Sequence, residues 1–414
     1  MFHFKKLVLV ILASTSIFSQ SNQSLIKTEA PNVFIDCRQC NLNHIKEHVP
    51  IVNYVLDRKD SDVHILFSTL TNGSGGTENY LFFIGQKSFN GLTDTVNFTR
   101  FQTDSEDVFR NKVVDAIKIG LVKFIAKSNV ADQMIINYKK SELPAQDNED
   151  DWNFWVFNTN FDFYFYGQES MQYYYLSSRL SANRVTESLK LNFSTSGNYS
   201  ENSYKYEDDE ILSISRSQYV EASIIKSIDN HWSWGAWFLL RKSIYNNIKL
   251  GVSFAPGIEY NIFPYSESNK RQWFISYQIS HIINNYDAET IFLKTNENLW
   301  ENNFYSYLSL IEQWGNISFG ARYKSFLHDL KKYEISFQTR LSLKLVKGLS
   351  IDLSSNYSKI RNQINLIRGT ASLEEVLLQR RQLETGYYFN ASVGFSYRFG
   401  SIYNNIVNPR FSKY

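Results

Sequence analysis

Between Tyr333 and Leu345 the chain alternates for thirteen residues without a break. Tyr333, Ile335, Phe337, Thr339, Leu341, Leu343 and Leu345 fall on one face, and Glu334, Ser336, Gln338, Arg340, Ser342 and Lys344 fall on the other. A period of two suits a strand, whose successive side chains point to opposite sides, and cannot give a helix one apolar face. Strands of water-soluble domains run about 5–6 residues, whereas a tilted strand crossing a bilayer needs about 9–11. The same length and alternation recur beyond about residue 150. The pattern predicts long strands with one apolar and one polar side, arranged as a membrane barrel.

Composition agrees with that geometry. Aromatic residues make up 16% of the 414 positions, with 31 Phe, 27 Tyr and 8 Trp, and only six prolines interrupt them. The mean hydropathy is negative, −0.34, as expected where half of every strand faces a polar lumen; a helical membrane protein would be far more apolar. The formal charge is only +2, and no basic stripe with interleaved stacking residues argues for nucleic acid.

Residues 1–20 read as a targeting segment. Lys5 and Lys6 form its basic start, Leu7–Leu12 its apolar run and Ser16–Gln20 its cleavage zone. No Cys lies near that zone to carry a lipid anchor, and no later apolar run reaches about 18 residues. Export without a helical anchor leaves a barrel as the means of staying in a membrane.

Residues 31–127 read as a small α/β domain of order β-α-β-β-β-α, mostly antiparallel. Strands are expected at Val33–Asp36, Asp62–Leu70, Tyr80–Ile84 and Thr95–Phe101. Leu42, Ile45, Val49, Val52 and Leu56 have helical spacing, with Pro50 kinking or restarting the helix. Thr103-Asp104-Ser105-Glu106 is a capping-box signal before a helix with the face Val108, Val114, Ile117, Leu121 and Phe124. Asn72-Gly73-Ser74-Gly75-Gly76 lacks the Lys-Ser/Thr pair of a phosphate loop and leads into a strand, so it reads as a hairpin turn.

Cys37 and Cys40, the two cysteines, lie in this domain. In an oxidising periplasm the pair is expected to close a disulfide. A redox motif and a metal cluster with His44 and His48 are the alternatives, but the redox motif lacks its further signature residues. Residues 128–151, ending Asp147-Asn148-Glu149-Asp150-Asp151, read as a solvated acidic linker.

From Trp152 to Phe399 about twelve strands are expected, centred near residues 158, 176, 190, 218, 238, 255, 277, 305, 320, 339, 354 and 393. Those near 190 and 305 are weakly marked, so ten or fourteen stay open. With the α/β domain in the periplasm, the expected outward loops are long: Ser196–Glu210, Asn284–Asn298 and Lys359–Glu384. The expected inward turns are short: Ala182–Arg184, Asp229-Asn230, Gln313–Gly315 and Val346–Gly348. Short inside and long outside is the outer-membrane pattern, and an even count closes the sheet. Residues 400–414 form a tail, and Tyr397–Phe399 or Phe411 would serve as the carboxy-terminal aromatic signal for insertion.

Asp36-Cys37-Arg38-Gln39-Cys40, Asp62-Val63-His64-Ile65, the Gly75-Gly76 turn and the tail Phe399-Gly400-Ser401 through Asn404–Phe411 resemble uncharacterised outer-membrane β-barrel proteins of Gram-negative bacteria that join a periplasmic head to a barrel. The resemblance covers most of the chain and implies architecture only. More loosely, the head's element order looks like the amino-terminal domains of the Tol-system translocation protein and the curli secretion lipoprotein, an analogy of fold.

Lys249, Glu259, Glu334, Arg340, Lys344, Asp352 and Arg398 are expected to face the lumen, where they either set ion selectivity or simply pair and stabilise the wall. His231 and Ser233 lie at i,i+2, on one strand face, and could act as base and nucleophile of a lipid hydrolase; an interfacial Trp232/Trp234 belt is the simpler reading. No cofactor or metal is expected. The expectation for function is a non-enzymatic barrel in the outer membrane, anchoring a head that binds another envelope protein. A passive or gated pore is the alternative.

Overall fold

The computed structural model describes residues 27, 29–73, 75–137, 150–206, 209–378, 380–405, 407 and 410. The targeting segment, most of the acidic linker (138–149) and Phe411 lie outside the described residues.

The head consists of β1 (Asn32–Asp36), α1 (Leu42–His48), β2 (Asn53–Tyr54), β3 (Val63–Thr71), β4 (Thr77–Gly85), β5 (Thr93–Arg100) and α2 (Glu106–Ile125). The sheet order is β2-β1-β3-β4-β5. β1 pairs parallel with β2 and β3, while β3–β4 and β4–β5 are antiparallel, so the sheet is evenly mixed. α1 stops at His48 and does not reach Leu56, because Val49, which precedes Pro50, leaves the helical region at φ −127°, ψ 62°. The freed segment supplies the short edge strand β2.

α2 is capped by Ser105, whose Oγ accepts from Val108 N at 3.3 Å. Phe109, Val113, Ile117, Leu121 and Phe124 of α2 face Val33, Val63, Ile65, Leu81 and Phe83 of the sheet in one core. Val108, expected on that face, is exposed. The hairpin expected at Asn72–Gly76 is present: Thr71 pairs with Thr77, Asn72 N donates to Gly76 O, and Gly75 takes φ +77°.

Twelve strands follow: β6 (Trp155–Gln168), β7 (Met171–Val185), β8 (Leu189–Tyr206), β9 (Asp209–Ser227), β10 (Trp232–Ser243), β11 (Ile248–Asn261), β12 (Arg271–Tyr286), β13 (Asn296–Glu312), β14 (Gly315–Phe326), β15 (Asp329–Val346), β16 (Leu349–Ile360) and β17 (Tyr387–Tyr397). They form one antiparallel sheet in unbroken sequence order, with β6 and β17 as its ends. Every expected strand centre falls within a strand. The shortest strand has 11 residues and the longest 19, lengths of the membrane-barrel class. The fold is an antiparallel twelve-stranded β-barrel architecture behind a small α/β head.

Two connection expectations change. Ala182–Arg184 is not a turn but the end of β7, paired with Leu191–Phe193, and the turn falls at 186–188 because the polar Asn183 and Arg184 continue the ladder. Ser196–Glu210 is not a long loop: β8 and β9 run through it, with cross-strand pairs continuing to Tyr206 and Asp209. Its Tyr, Ser and Asn residues lack an apolar face, yet Tyr favours strand geometry and the ladder simply extends. The outward connection 287–295 is matched in length by 262–270 at the head end, so the length contrast between the two ends rests on 361–386, which carries the short helix α3 (Leu373–Leu377).

The outer face of the wall carries Phe254, Tyr277, Phe304, Phe319, Phe337 and Tyr357, all exposed, with Trp232, Trp234, Trp273 and Trp314 near the end that meets the head. An apolar surface so extended, edged by Trp, is unsuited to water and suits a bilayer with an interfacial girdle.

Candidate functional site at the junction of head and barrel

β3 begins Val63-His64-Ile65-Leu66, and all four residues are buried. Alternate residues point to opposite faces, so the sheet is covered on both sides. The helices cover one. His64, Leu66, Ser68 and Phe82 lie on the other face, outside the helical core, and are at most 5% exposed.

Turns at the head end of the barrel provide that cover. Ser68 Oγ donates to Asn269 O at 2.5 Å, and Lys270 Nζ sits 4.0 Å over the Phe82 ring. Leu66 shares a cavity of about 220 Å³ with Asp36, Cys37, Ile311, Ser342 and Lys344. At the hairpin tip, a Cβ on Gly73 would stand 2.2 Å from Val185 Cβ. The head thus meets the β7–β8, β11–β12, β13–β14 and β15–β16 turns.

Charge completes the contact. Lys344 pairs with Asp36 and also lies 5.0 Å from the centre of the Phe34 ring. Arg38 pairs with Asp352 at 2.7 Å and contacts Ser342. Asp60 pairs with Lys347 at 2.7 Å, and Asp57 Oδ2 accepts from Gly348 N at 2.6 Å. Acidic head residues thus meet basic barrel residues in two of these contacts, Asp57 accepts from a backbone amide, and Arg38–Asp352 runs the other way.

Behind Asp36, His64 Nε2 lies 3.5 Å from Asp36 Oδ2, a contact longer than an ordinary hydrogen bond and an ion pair only when the imidazole is protonated. Burial opposes ionisation of Asp36, but His64 and Lys344 outweigh it and hold the carboxyl below its usual range. Burial also pushes the His64 imidazole below its ordinary range, against the pull of Asp36.

The tail forms a second junction. Val55 bridges Tyr403 antiparallel, Leu56 N donates to Ile402 O at 3.0 Å, and Asn404 N donates to Tyr54 O at 2.8 Å. Residues leaving β17 therefore cover the open edge of β2.

The residues singled out in sequence separate into groups. Cys37 and Cys40 are joined in a disulfide, their Cα atoms 5.6 Å apart, so neither thiol is available to a metal. Glu334 lines an inner cavity of about 450 Å³ with Arg241, Glu301 and Lys324, under Asn362, Asn365 and Gln382 of the last loop. Glu259 lines another of about 430 Å³ and accepts from Tyr265 at 3.4 Å. Arg340 shares the Glu334 side of β15 by alternation. Lys344 and Asp352 meet the head, and Arg398 lies past β17, lining a small cavity with Asp57 and Lys347. Lys249 sits at a bulge between Ile248 and Leu250, exposed and outside both inner cavities, because the extra residue breaks the alternation.

His231 and Ser233 are engaged elsewhere. His231 Nδ1 donates to Asn261 O at 2.7 Å, and Ser233 Oγ receives the Tyr265 hydroxyl at 3.0 Å. His231 lies in the turn before β10, so the expected shared strand face does not form.

Arg38, Asp57, Asp60, Lys270 and Lys347 do not stand out by spacing or motif. The run Ile65-Leu66-Phe67, apolar on both faces of β3, was the available signal, since a strand with one wet face would alternate.

No protein-family model and no curated protein matches the chain. Solved structures that it resembles include the NanC porin, at 9% identity and TM-score 0.27 over 58% of this chain and 100% of the porin. The β domain of the Bordetella autotransporter BrkA aligns at 10% identity and TM-score 0.26, over 59% of this chain and 98% of that domain. The translocator domain of NalP from Neisseria meningitidis aligns at 11% identity and TM-score 0.23, over 71% of this chain and 100% of that domain.

Proposed function

We propose that this protein is an outer-membrane barrel whose periplasmic mouth is stoppered by its own head, forming a gated passage for small polar solutes. The observation that carries this reading is the burial of His64, Leu66 and Phe82 on the sheet face that the helices do not cover. A head serving only as a tethered bait would leave that face wet. Docking at four separate turns spreads the head across the mouth, and the ion pairs offer a junction that can open without unfolding either part.

The inner cavities suit the reading. Arg241, Lys324, Glu301 and Glu334 together with carboxamides line the larger one, a mixed surface that favours polar solutes over one sign of ion. A scaffold for another envelope protein is the second reading, favoured by Val108 and Ile119, which α2 exposes outside the core.

The test is conductance of the full chain in planar bilayers. Wild type should conduct weakly, and Lys344→Glu with Asp352→Arg should raise open probability. A double variant that keeps its heat-modifiable gel mobility and conducts no more than wild type would discard the stopper and leave the scaffold.

A further inference from the structure

We propose that His44, Glu47 and His48 form a binding site for a divalent cation of the zinc class on the helical side of the head. The three residues lie at i, i+3 and i+4 of α1, and one ligand atom from each lies within 4.8 Å of the other two. That spacing puts all three on one side of the helix.

Hydrogen bonds determine which nitrogen of each imidazole is free to bind. Asn111 Nδ2 donates to Asp107 Oδ2 at 3.2 Å, which turns Asn111 Oδ1 toward His44 Nε2 at 2.8 Å. A carbonyl oxygen only accepts, so His44 Nε2 carries the proton and Nδ1 keeps its lone pair. By the same logic His48 Nδ1, 2.8 Å from His44 O, donates, and His48 Nε2 keeps its lone pair. An imidazole held by an outer N–H···O bond, backed by a carboxylate, is the arrangement that orients metal-binding histidines.

The surroundings favour a cation. Asn41 caps α1 by accepting from His44 N at 3.0 Å, and Ile45 and Val49 anchor the helix in the core. Glu47 and His48 are exposed, so an ion can enter from solvent. His48 is the last helical residue, beside carbonyl groups whose dipoles attract positive charge. Two imidazoles and one carboxylate form a borderline donor set, suited to zinc, nickel or copper(II) and not to calcium or magnesium, which take oxygen. Three protein ligands leave a fourth position for water. The disulfide separates this site from the Cys-containing cluster that the sequence alone suggests.

The test is calorimetric titration of zinc into the full chain in detergent, after chelator stripping and without reductant. One site should appear. His48→Gln should abolish it, and Asn111→Ala should weaken it by about 10–100-fold, as loss of an outer hydrogen bond does. Cobalt(II) should give the visible spectrum of nitrogen and oxygen ligation without a thiolate charge-transfer band. Helical ellipticity, unchanged in each variant, separates loss of the site from loss of the head's fold. No zinc uptake, uptake unchanged by His48→Gln, uptake lost in Cys37→Ser/Cys40→Ser, or equal competition by magnesium would each overturn the assignment.

Discussion

Asp36, at the end of the first head strand, pairs with Lys344, near the end of the tenth barrel strand, across 308 positions of sequence. Side-chain exposure is 23% for the carboxylate and 27% for the amine, so the pair is sheltered enough for its loss to leave a costly charge behind. We expect Lys344→Glu to weaken docking by up to about 3 kcal/mol, the range for removing one partner of a largely buried pair. Asp36→Lys combined with Lys344→Asp should recover most of that. Limited proteolysis of the full chain in detergent reads the result as cleavage within 31–127. Equal cleavage in wild type, single and swapped variants would show that the pair does not hold the head.

Acid should loosen the same junction in two stages. His64 is depressed below its ordinary 6.5 by burial, so its contribution is complete above about pH 6.5 and is lost as pH falls through its folded value. Asp36 is also depressed, from 3.8, with its charged partners overriding the effect of burial. Its contribution is therefore complete above about pH 3.8 and lost below that. Helical ellipticity follows the head, because α1 and α2 lie there. The thermal midpoint should fall from about pH 6.5 downward, then more steeply below about pH 4. Neither His64 ring nitrogen has a hydrogen-bond partner among the described residues, so His64→Leu should be neutral or stabilising at pH 7 and should erase the first stage. A midpoint that falls identically in His64→Leu would assign the acid response elsewhere.

Much of the wall was legible because alternation is a local property. Tyr333–Leu345 announces its two faces within one strand, and the observed β15 extends that pattern from Asp329 to Val346. The docking surface was not legible because it depends on register between distant segments. Arg38 and Asp352 are 314 positions apart, and nothing in either neighbourhood marks the other. Lys249 shows a further limit: a bulge shifts the alternation by one residue, which periodicity read along the chain cannot detect. His44 and His48 were visible as a pair, whereas the tautomers depend on Asn111 from the second helix.

Gly73 gives a steric test of the docked position. A methyl group there would meet Val185 Cβ at 2.2 Å, so Gly73→Ala should push the hairpin tip away from the β7–β8 turn. Overpacking of this kind costs about 1–3 kcal/mol. Val185→Gly in the same chain removes the opposing side chain and should restore protease resistance, although Val185→Gly alone brings no gain. If Gly73→Ala is as resistant as wild type, the hairpin does not rest on that turn.

The Cys37–Cys40 disulfide lies between two docking residues, since Asp36 pairs with Lys344 and Arg38 with Asp352. Closing so small a loop restricts the unfolded chain by about 2 kcal/mol on the chain-entropy account. It also holds the two charged side chains at one mutual orientation, so that a single docked pose satisfies both pairs. Cys37→Ser/Cys40→Ser should therefore lower the midpoint of the head and raise conductance of the full chain, and reductant should do the same to wild type and nothing more to the variant. Reduction that lowers the midpoint without altering conductance would confine the disulfide to stability and detach it from gating. Unchanged midpoint and conductance together would show that Asp36 and Arg38 are positioned by β1 and the barrel turns alone.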